Sequence, residues 1–329
     1  MRMKNIAYLL MLVVSLSLLA GCGQTKQAAT VTKSEPREIR VGYQIGSSIV
    51  ILAKSKGWYE EEFSKDGIQV KYNLFLAGPP MNEALAGDRL DIASVGNLPA
   101  ISAKSAGIDA KIIGRASSDK YYYGLLTRPD SSIHAVSDLR GKKIAVQIGS
   151  GAHLFLALLL QQNGLKSTDV NIVNLPAPDH QAALETKNVD AVAAWQPWVA
   201  TIEHAGVGKL LVDSSKVVQS VGVYLARNTY AKNNGDLVER FLKVHQKAAD
   251  YIKNHPQEAI EIISKETKIP VAALTKSYQT IDWGLEITDD DVKTLKNSKD
   301  FLIETNVLKK DFDVNELIDK TYLNNIGIK

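Results

Sequence analysis

From residue 38 to residue 226 the chain alternates short β-type runs with helical ones. This constrains the fold more than any other feature. Strand–helix–strand units bury their apolar faces when helices cover both sides of a mostly parallel sheet. Strands are expected at 38–43, 68–75, 91–95, 111–116 and 122–128, with helices at 49–63, 82–86 and 98–106. The pattern repeats with strands at 143–148, 170–175, 191–194, 209–212 and 221–226, and helices at 151–163, 178–186 and 197–204. From residue 229 onward the chain is mainly helical. No repeat of fixed period is present, only a repeated architecture. Two α/β units followed by a helical tail predict two lobes, with chain crossings at Leu125–Arg128 and Tyr224–Arg227 serving as a hinge.

The N-terminus predicts where such a chain works. Arg2 and Lys4 precede an almost wholly apolar run over residues 6–20, which ends in Leu19-Ala20-Gly21-Cys22. A basic start, an apolar stretch and small residues at the cut describe a secretory signal. The apolar stretch is shorter than the roughly 20 residues that span a bilayer. Leu-Ala-Gly-Cys resembles a bacterial lipobox, in which cleavage leaves the cysteine first and its thiol carries diacylglycerol. Cys22 is the only cysteine, so no internal disulfide is possible and a packed core must supply stability. The expected organisation is a signal peptide at 1–21, a lipid-anchored tether at 22–37, one lobe from 38–126 and 226–329, and the other from 127–225. An exported protein on the outer face of the cell membrane follows. Once Arg2 and Lys4 leave, the formal charge of +3 falls to +1. That balance points to neither nucleic acid nor a polybasic membrane patch.

Enzyme chemistry finds no foothold in the motifs. The histidines at 134, 153, 180, 204, 245 and 255 never pair at metal-ligand spacing, and no Gly-x-Ser-x-Gly or Walker loop occurs. No metal and no cofactor is expected. The informative places are the turns beyond strand ends, where ligands bind in open α/β sheets. These are Gln44-Ile45-Gly46-Ser47-Ser48, Ala77-Gly78-Pro79-Pro80, Gly96-Asn97-Leu98-Pro99 and Gly149-Ser150-Gly151-Ala152-His153. Each stands before a helix, so free N–H groups and serine hydroxyls can receive an anion without a formal cation. One such turn alone is ordinarily a helix cap; four in series suggest a common site. A fifth candidate is Trp195-Gln196-Pro197-Trp198, with Trp195 expected in the cleft, Gln196 offering an amide, and Trp198 in the core. Tyr121-Tyr122-Tyr123 reads as sheet packing. Trp283 fits ligand contact or helix-end packing equally.

These stretches resemble the solute-binding proteins for aliphatic sulfonates, within the sulfonate, taurine and nitrate group of ABC importers. The resemblance runs from Val41-Gly42-Tyr43-Gln44 through Ala77-Gly78-Pro79 with Glu83-Ala84-Leu85, and Asp91-Ile92-Ala93 to Gly96-Asn97. It continues through Gly149-Ser150-Gly151-Ala152-His153, Asn188-Val189-Asp190-Ala191 to Trp195-Gln196-Pro197, and Tyr224-Leu225-Ala226-Arg227. It implies a two-lobed α/β periplasmic binding protein fold of type II-like topology with a ligand cleft between lobes. It also implies a monomer that delivers its ligand to an ABC permease and its ATPase subunit. A sulfonate head would rest on Gln44, Ser47, Ser48, Gly78, Pro79, Gly96, Asn97, Gly149, Ser150, Gly151 and His153, with Ile45 and Trp195 on the alkyl part. Gln196 stands where members often carry an acidic residue. Nitrate, taurine or a thiamine-precursor pyrimidine are alternative ligands, and an exported enzyme on the same fold is the rival from another class.

Overall fold

The computed structural model describes residues 37–46 and 48–328. Ser47 and the segments expected to be the signal peptide and, up to residue 36, the tether with Cys22 lie outside the described residues. In chain order the strands are β1 (Glu38–Tyr43), β2 (Gln69–Leu74), β3 (Ile92–Gly96), β4 (Ala110–Asp119), β5 (Tyr123–Thr127), β6 (Lys143–Val146), β7 (Asn171–Asn174), β8 (Ala191–Trp195), β9 (Lys209–Asp213) and β10 (Ser220–Arg227). The helices through the two lobes are α1 (Ser48–Ser55), α2 (Trp58–Phe63), α3 (Gly78–Ala86), α4 (Asn97–Ser105), α5 (Gly151–Gln162), α6 (His180–Glu185) and α7 (Trp198–His204). The C-terminal helices are α8 (Asn228–Asn233), α9 (Gly235–Asn254), α10 (Pro256–Thr267), α11 (Val271–Tyr278), α12 (Asp289–Glu304) and α13 (Thr321–Asn325).

Two five-stranded sheets form, in the orders β2-β1-β3-β10-β4 and β7-β6-β8-β5-β9. The expectation of parallel sheets needs one amendment in each. Strands β1, β2 and β3 are parallel, but β10 runs antiparallel to both β3 and β4. Likewise β6 is parallel to β7 and β8, while β5 opposes β8 and β9. The reversed strand in each sheet is the one that arrives from the other lobe. It starts at the cleft, where its neighbours end.

That pairing moves the crossings. The expected boundaries after 126 and after 225 fall inside β5 and β10, and each of these strands is hydrogen-bonded on both sides within one sheet. The chain passes between sheets at 120–122 and 214–219 instead. Ser214 ties the two passages together: its hydroxyl donates to the Lys120 carbonyl at 2.6 Å and accepts from the Tyr123 N–H at 3.1 Å. A second amendment concerns 49–63, expected as one helix. Gly57 takes φ 68°, a left-handed conformation that glycine adopts without steric cost, and the helix breaks there into α1 and α2.

The C-terminal helices cover the first sheet, except α11, which packs on α7 of the second lobe. Phe241 and His245 of α9 are fully buried against Tyr224 of β10, with the Tyr224 and Phe241 rings edge-on at 5.0 Å. The Tyr224 hydroxyl donates to His245 Nδ1, and His245 Nε2–H donates to the Trp283 carbonyl, both at 2.8 Å. Burial pushes the imidazole of His245 down to about 4. His180, whose ring nitrogen meets the Leu175 carbonyl at 3.0 Å, is lowered to about 4 for the same reason. An unfolded histidine titrates near 6.5. Below that pH the unfolded chain takes up protons that the native state refuses, so stability is full above about 6.5 and falls as pH drops toward 4. Each histidine is expected to remove about 2 kcal/mol between pH 6.5 and pH 5. Guanidinium titrations at the two pH values read this directly, and equal midpoints at equal slope would count against it.

Candidate functional site

Strands β1, β3, β6 and β8 all end at the gap between the sheets, so the turns that follow them face one another there. A cavity of about 70 Å³ lies in this gap, room for a few waters or a small head group. Four helices point their N-termini at it. Gly46, Ser48 and Ile49 come from the start of α1, Gly78 from α3, Gly96 and Pro99 from α4, and Ser150 with Gly151 from α5. Three of the helices, α1, α3 and α4, belong with the first sheet, and α5 with the second. Among the described residues, none that lines the cavity carries a formal charge. The positive ends of the helix dipoles and the unused N–H groups of their first turns are therefore its chief electrostatic feature.

Local sequence explains each turn. Ser150 caps α5, its hydroxyl oxygen accepting from the His153 N–H at 3.3 Å, which leaves the hydroxyl proton for another acceptor. Gly149 before it has φ 79°, which turns the chain from β6 into the helix. Gly151 sits directly on the ring of Tyr123: a Cβ there would come within 2.1 Å of the phenol oxygen. Gly78 likewise leaves no room for a side chain, since a Cβ would meet the Pro99 ring at 2.3 Å.

Of the residues named from sequence, Gln44, Ser48, Gly78, Gly96, Ser150, Gly151 and Trp195 line the cavity. Ser47 lies outside the described residues. The rest sit elsewhere, for identifiable reasons. Pro79 has no N–H to offer, and its ring packs across the gap, 3.2 Å from where a Cβ on Gly149 would lie. Asn97 is wholly buried and committed: its amide donates to Ser298 Oγ at 2.7 Å and its carbonyl oxygen accepts from Tyr123 at 3.1 Å. His153 turns away, its ring edge-on to Phe301 at 5.7 Å and its Nδ1 accepting from the Gly149 N–H at 3.4 Å. Gln196 Oε1 accepts from the Ala200 N–H at 3.3 Å and lies 2.9 Å from Ser277 Oγ, so the amide joins β8 to α11. Ile45 packs half-buried against the core, and Trp198 does so as expected.

Sequence reasoning missed part of the wall. Tyr122 and Tyr123, read as packing, both line the cavity, while Tyr121 is half exposed. Burial raises both lining phenols, that of Tyr123 to about 12, so both remain protonated donors at neutral pH. Ser117 of β4 and Ser220, Gly222 and Tyr224 of β10 also line it. The last three stand two residues apart and so share one face of a strand, a period-two signal that was legible. Trp283 reaches the cavity as well. Arg115, the nearest buried cation, does not. Its Nε donates to the Gly284 carbonyl at 2.8 Å, and its other nitrogens meet Asp282 at 2.5 Å and Asp291 at 3.5 Å.

The family described as NMT1/THI5 like matches residues 44–259, which holds all ten strands but the first and most of the cavity wall. The chain belongs to this family. A protein of Bacillus subtilis (strain 168) named for the binding of aliphatic sulfonates is 37% identical over 319 residues, 96% of this chain and 95% of its own. The crystal structure of the periplasmic aliphatic sulphonate binding protein SsuA from Escherichia coli superposes with a TM-score of 0.74 at 29% identity, covering 88% of this chain and 99% of that one. The alkanesulfonate-binding SsuA from Xanthomonas axonopodis pv. citri, solved bound to MOPS, gives 0.77 at 25% identity over 87% and 99%. The family fold is thus the two-lobed periplasmic binding protein fold. It does not by itself dictate binding over catalysis: the desulfurization enzyme DSZB shares it, with a TM-score of 0.68 at 17% identity over 88% of this chain and 98% of that one. Among the described residues no helix is long and apolar enough to cross a membrane, and no cluster of three or more metal-ligating side chains occurs.

Proposed function

We propose that this protein is the extracytoplasmic solute-binding subunit of an ABC importer and that it captures a small organic anion, an alkanesulfonate first of all. The observation that carries the reading is the convergence of four helix N-termini and the Ser150 hydroxyl on one uncharged cavity between two sheets. Such a site favours negative charge through oriented N–H donors. The sulfonate-binding relatives support the choice of anion. Taurine suits the cavity less, because among the described residues no carboxylate lines it to meet an ammonium group. Residues 120–122 and 214–219 act as the hinge in this reading, and the closed lobes present one surface to the permease.

Calorimetric titration with ethanesulfonate tests it. Binding is expected with one ligand per chain, and Ser150→Ala is expected to weaken it about tenfold by removing one hydrogen bond to a charged group. The same change removes a helix cap, costing about 1 kcal/mol of stability, so affinity is measured well below the melting point. Unchanged affinity in Ser150→Ala would sink the assigned role of this turn. A second reading has its own observation: Trp195, Trp283, Tyr122, Tyr123 and Tyr224 give the cavity aromatic walls suited to a flat heterocycle. A pyrimidine that raises the melting temperature while ethanesulfonate does not would select it.

In the same proposal Cys22 carries the lipid anchor. Cys22→Ser is expected to release the protein from membranes or leave it unprocessed. Membrane retention with a normally cut N-terminus would rule the anchor out.

A further inference from the structure

The cavity is small, and the closed lobes leave it little room to grow between them. A Cβ on Gly46 would stand 3.2 Å from the Gln196 carbonyl oxygen, Pro79 crowds Gly149, Tyr123 is hydrogen-bonded to Asn97, and Lys276 pairs with Glu203 at 2.8 Å. One wall is different. Trp283 lines the cavity and also a groove of about 610 Å³ between α9, α10 and α11. Tyr278 borders the groove too, and its hydroxyl donates to Ser48, which lines the cavity. The two rings meet edge-on at 5.3 Å and make a partition one aromatic layer thick. Behind it the groove floor is apolar, with Ile252, Ile260 and Ile281.

The main chain at the partition is held by hydrogen bonds, whereas the indole, buried against Tyr278, is held by packing alone. The Trp283 carbonyl accepts from His245, and Asp282 exchanges both backbone hydrogen bonds with Ser118 at 2.8 and 2.9 Å. Among the hydrogen bonds of the described residues, none involves the indole N–H. Side chains change rotamer without moving the backbone, and this is the freedom a gate at this position would use.

We propose that Trp283 is a gate through the first lobe, and that the groove behind it receives the organic end of sulfonates too long for the cavity, so that the lobes close on the head group while the tail leaves sideways. The class of ligand is an alkanesulfonate with an extended, uncharged, apolar chain. This rests on the reading of the cleft as a sulfonate site, and the groove is its continuation through a shared residue.

Calorimetry with ethanesulfonate and octanesulfonate tests it. Each buried methylene is worth about fourfold in affinity, so octanesulfonate is expected to bind the parent at least about tenfold tighter and to be displaced by ethanesulfonate. Thr275→Trp and Lys253→Trp each place a bulky ring into the groove from an exposed position on its rim. In either variant the octanesulfonate advantage is expected to fall to about twofold or less, with ethanesulfonate affinity within about twofold of the parent. Two variants guard against a local folding defect in one. An advantage kept in both variants overturns the proposal, because the tail then leaves between the lobes. So does the lack of any advantage in the parent, or octanesulfonate that ethanesulfonate cannot displace. If ethanesulfonate itself fails to bind the parent, the sulfonate reading has failed instead.

Discussion

Gly46→Val is expected to leave the protein folded and nearly abolish binding. Gly46 ends the turn between β1 and α1, and in the closed arrangement it lies against the second lobe. A Cβ at this position would stand 2.9 Å from the Tyr122 hydroxyl oxygen and 3.2 Å from the Gln196 carbonyl oxygen. The Tyr122 phenol is packed among other rings, edge-on to Tyr123 at 5.4 Å, and the Gln196 carbonyl is main chain next to a proline, so neither side yields cheaply. Valine adds two further methyl groups and props the lobes apart. Ligand then keeps the donors of the first lobe and loses those of the second, the Ser150 hydroxyl and the Gly151 N–H. Two hydrogen bonds to a charged group are worth about 3–6 kcal/mol, or two to four orders of magnitude in affinity. X-ray scattering should show compaction of the parent on adding ethanesulfonate and none for the variant. Parental affinity and parental compaction in Gly46→Val would mean that closure does not pass through this contact.

The largest expected loss of stability belongs to Arg115→Leu. Arg115 is 5% exposed, and Asp291, at 0%, is both its partner and the acceptor for the Thr288 N–H and hydroxyl that open α12. Leucine fills the space of the stem but leaves the Asp291 charge buried with its cationic partner gone, and it strands the Gly284 carbonyl. Removing one member of a buried pair costs about 3–5 kcal/mol. The double variant Arg115→Leu with Asp291→Asn is expected to recover part of that loss, because the buried charge goes with its partner. Denaturant titration measures both. Folded Arg115→Leu should still bind ethanesulfonate like the parent, since the guanidinium faces Asp282 and Asp291 and not the cavity. Wild-type stability combined with lost binding would overturn this assignment and make Arg115 the cation that holds the ligand.

Much of this architecture could be read from the chain alone, and the reason is locality. Alternating strand and helix periods, the glycine and serine turns before α1, α3, α4 and α5, and Trp195 at the end of β8 are written within a few residues each. A helix N-terminus at a strand end offers unused N–H donors wherever the helix goes, so Ser150 and Gly78 could be named as candidates before any packing was known. Residues whose use depends on distant partners could not. Asn97 and Gln196 carry the right amide chemistry, yet Ser298 and Ser277, about 200 and 80 positions away, claim them. Arg115 is a surface-type residue by composition and becomes internal only because Asp291 arrives from α12. The pairing of β5 and β10 depends on which sheet accepts a strand entering from the opposite lobe, and one-dimensional periodicity is blind to strand direction. The same long-range choice brought Tyr122, Tyr123 and Trp283 to the cavity. Local physics placed the donors, whereas packing between segments remote in sequence chose which side chains wall the site and which are consumed in holding it.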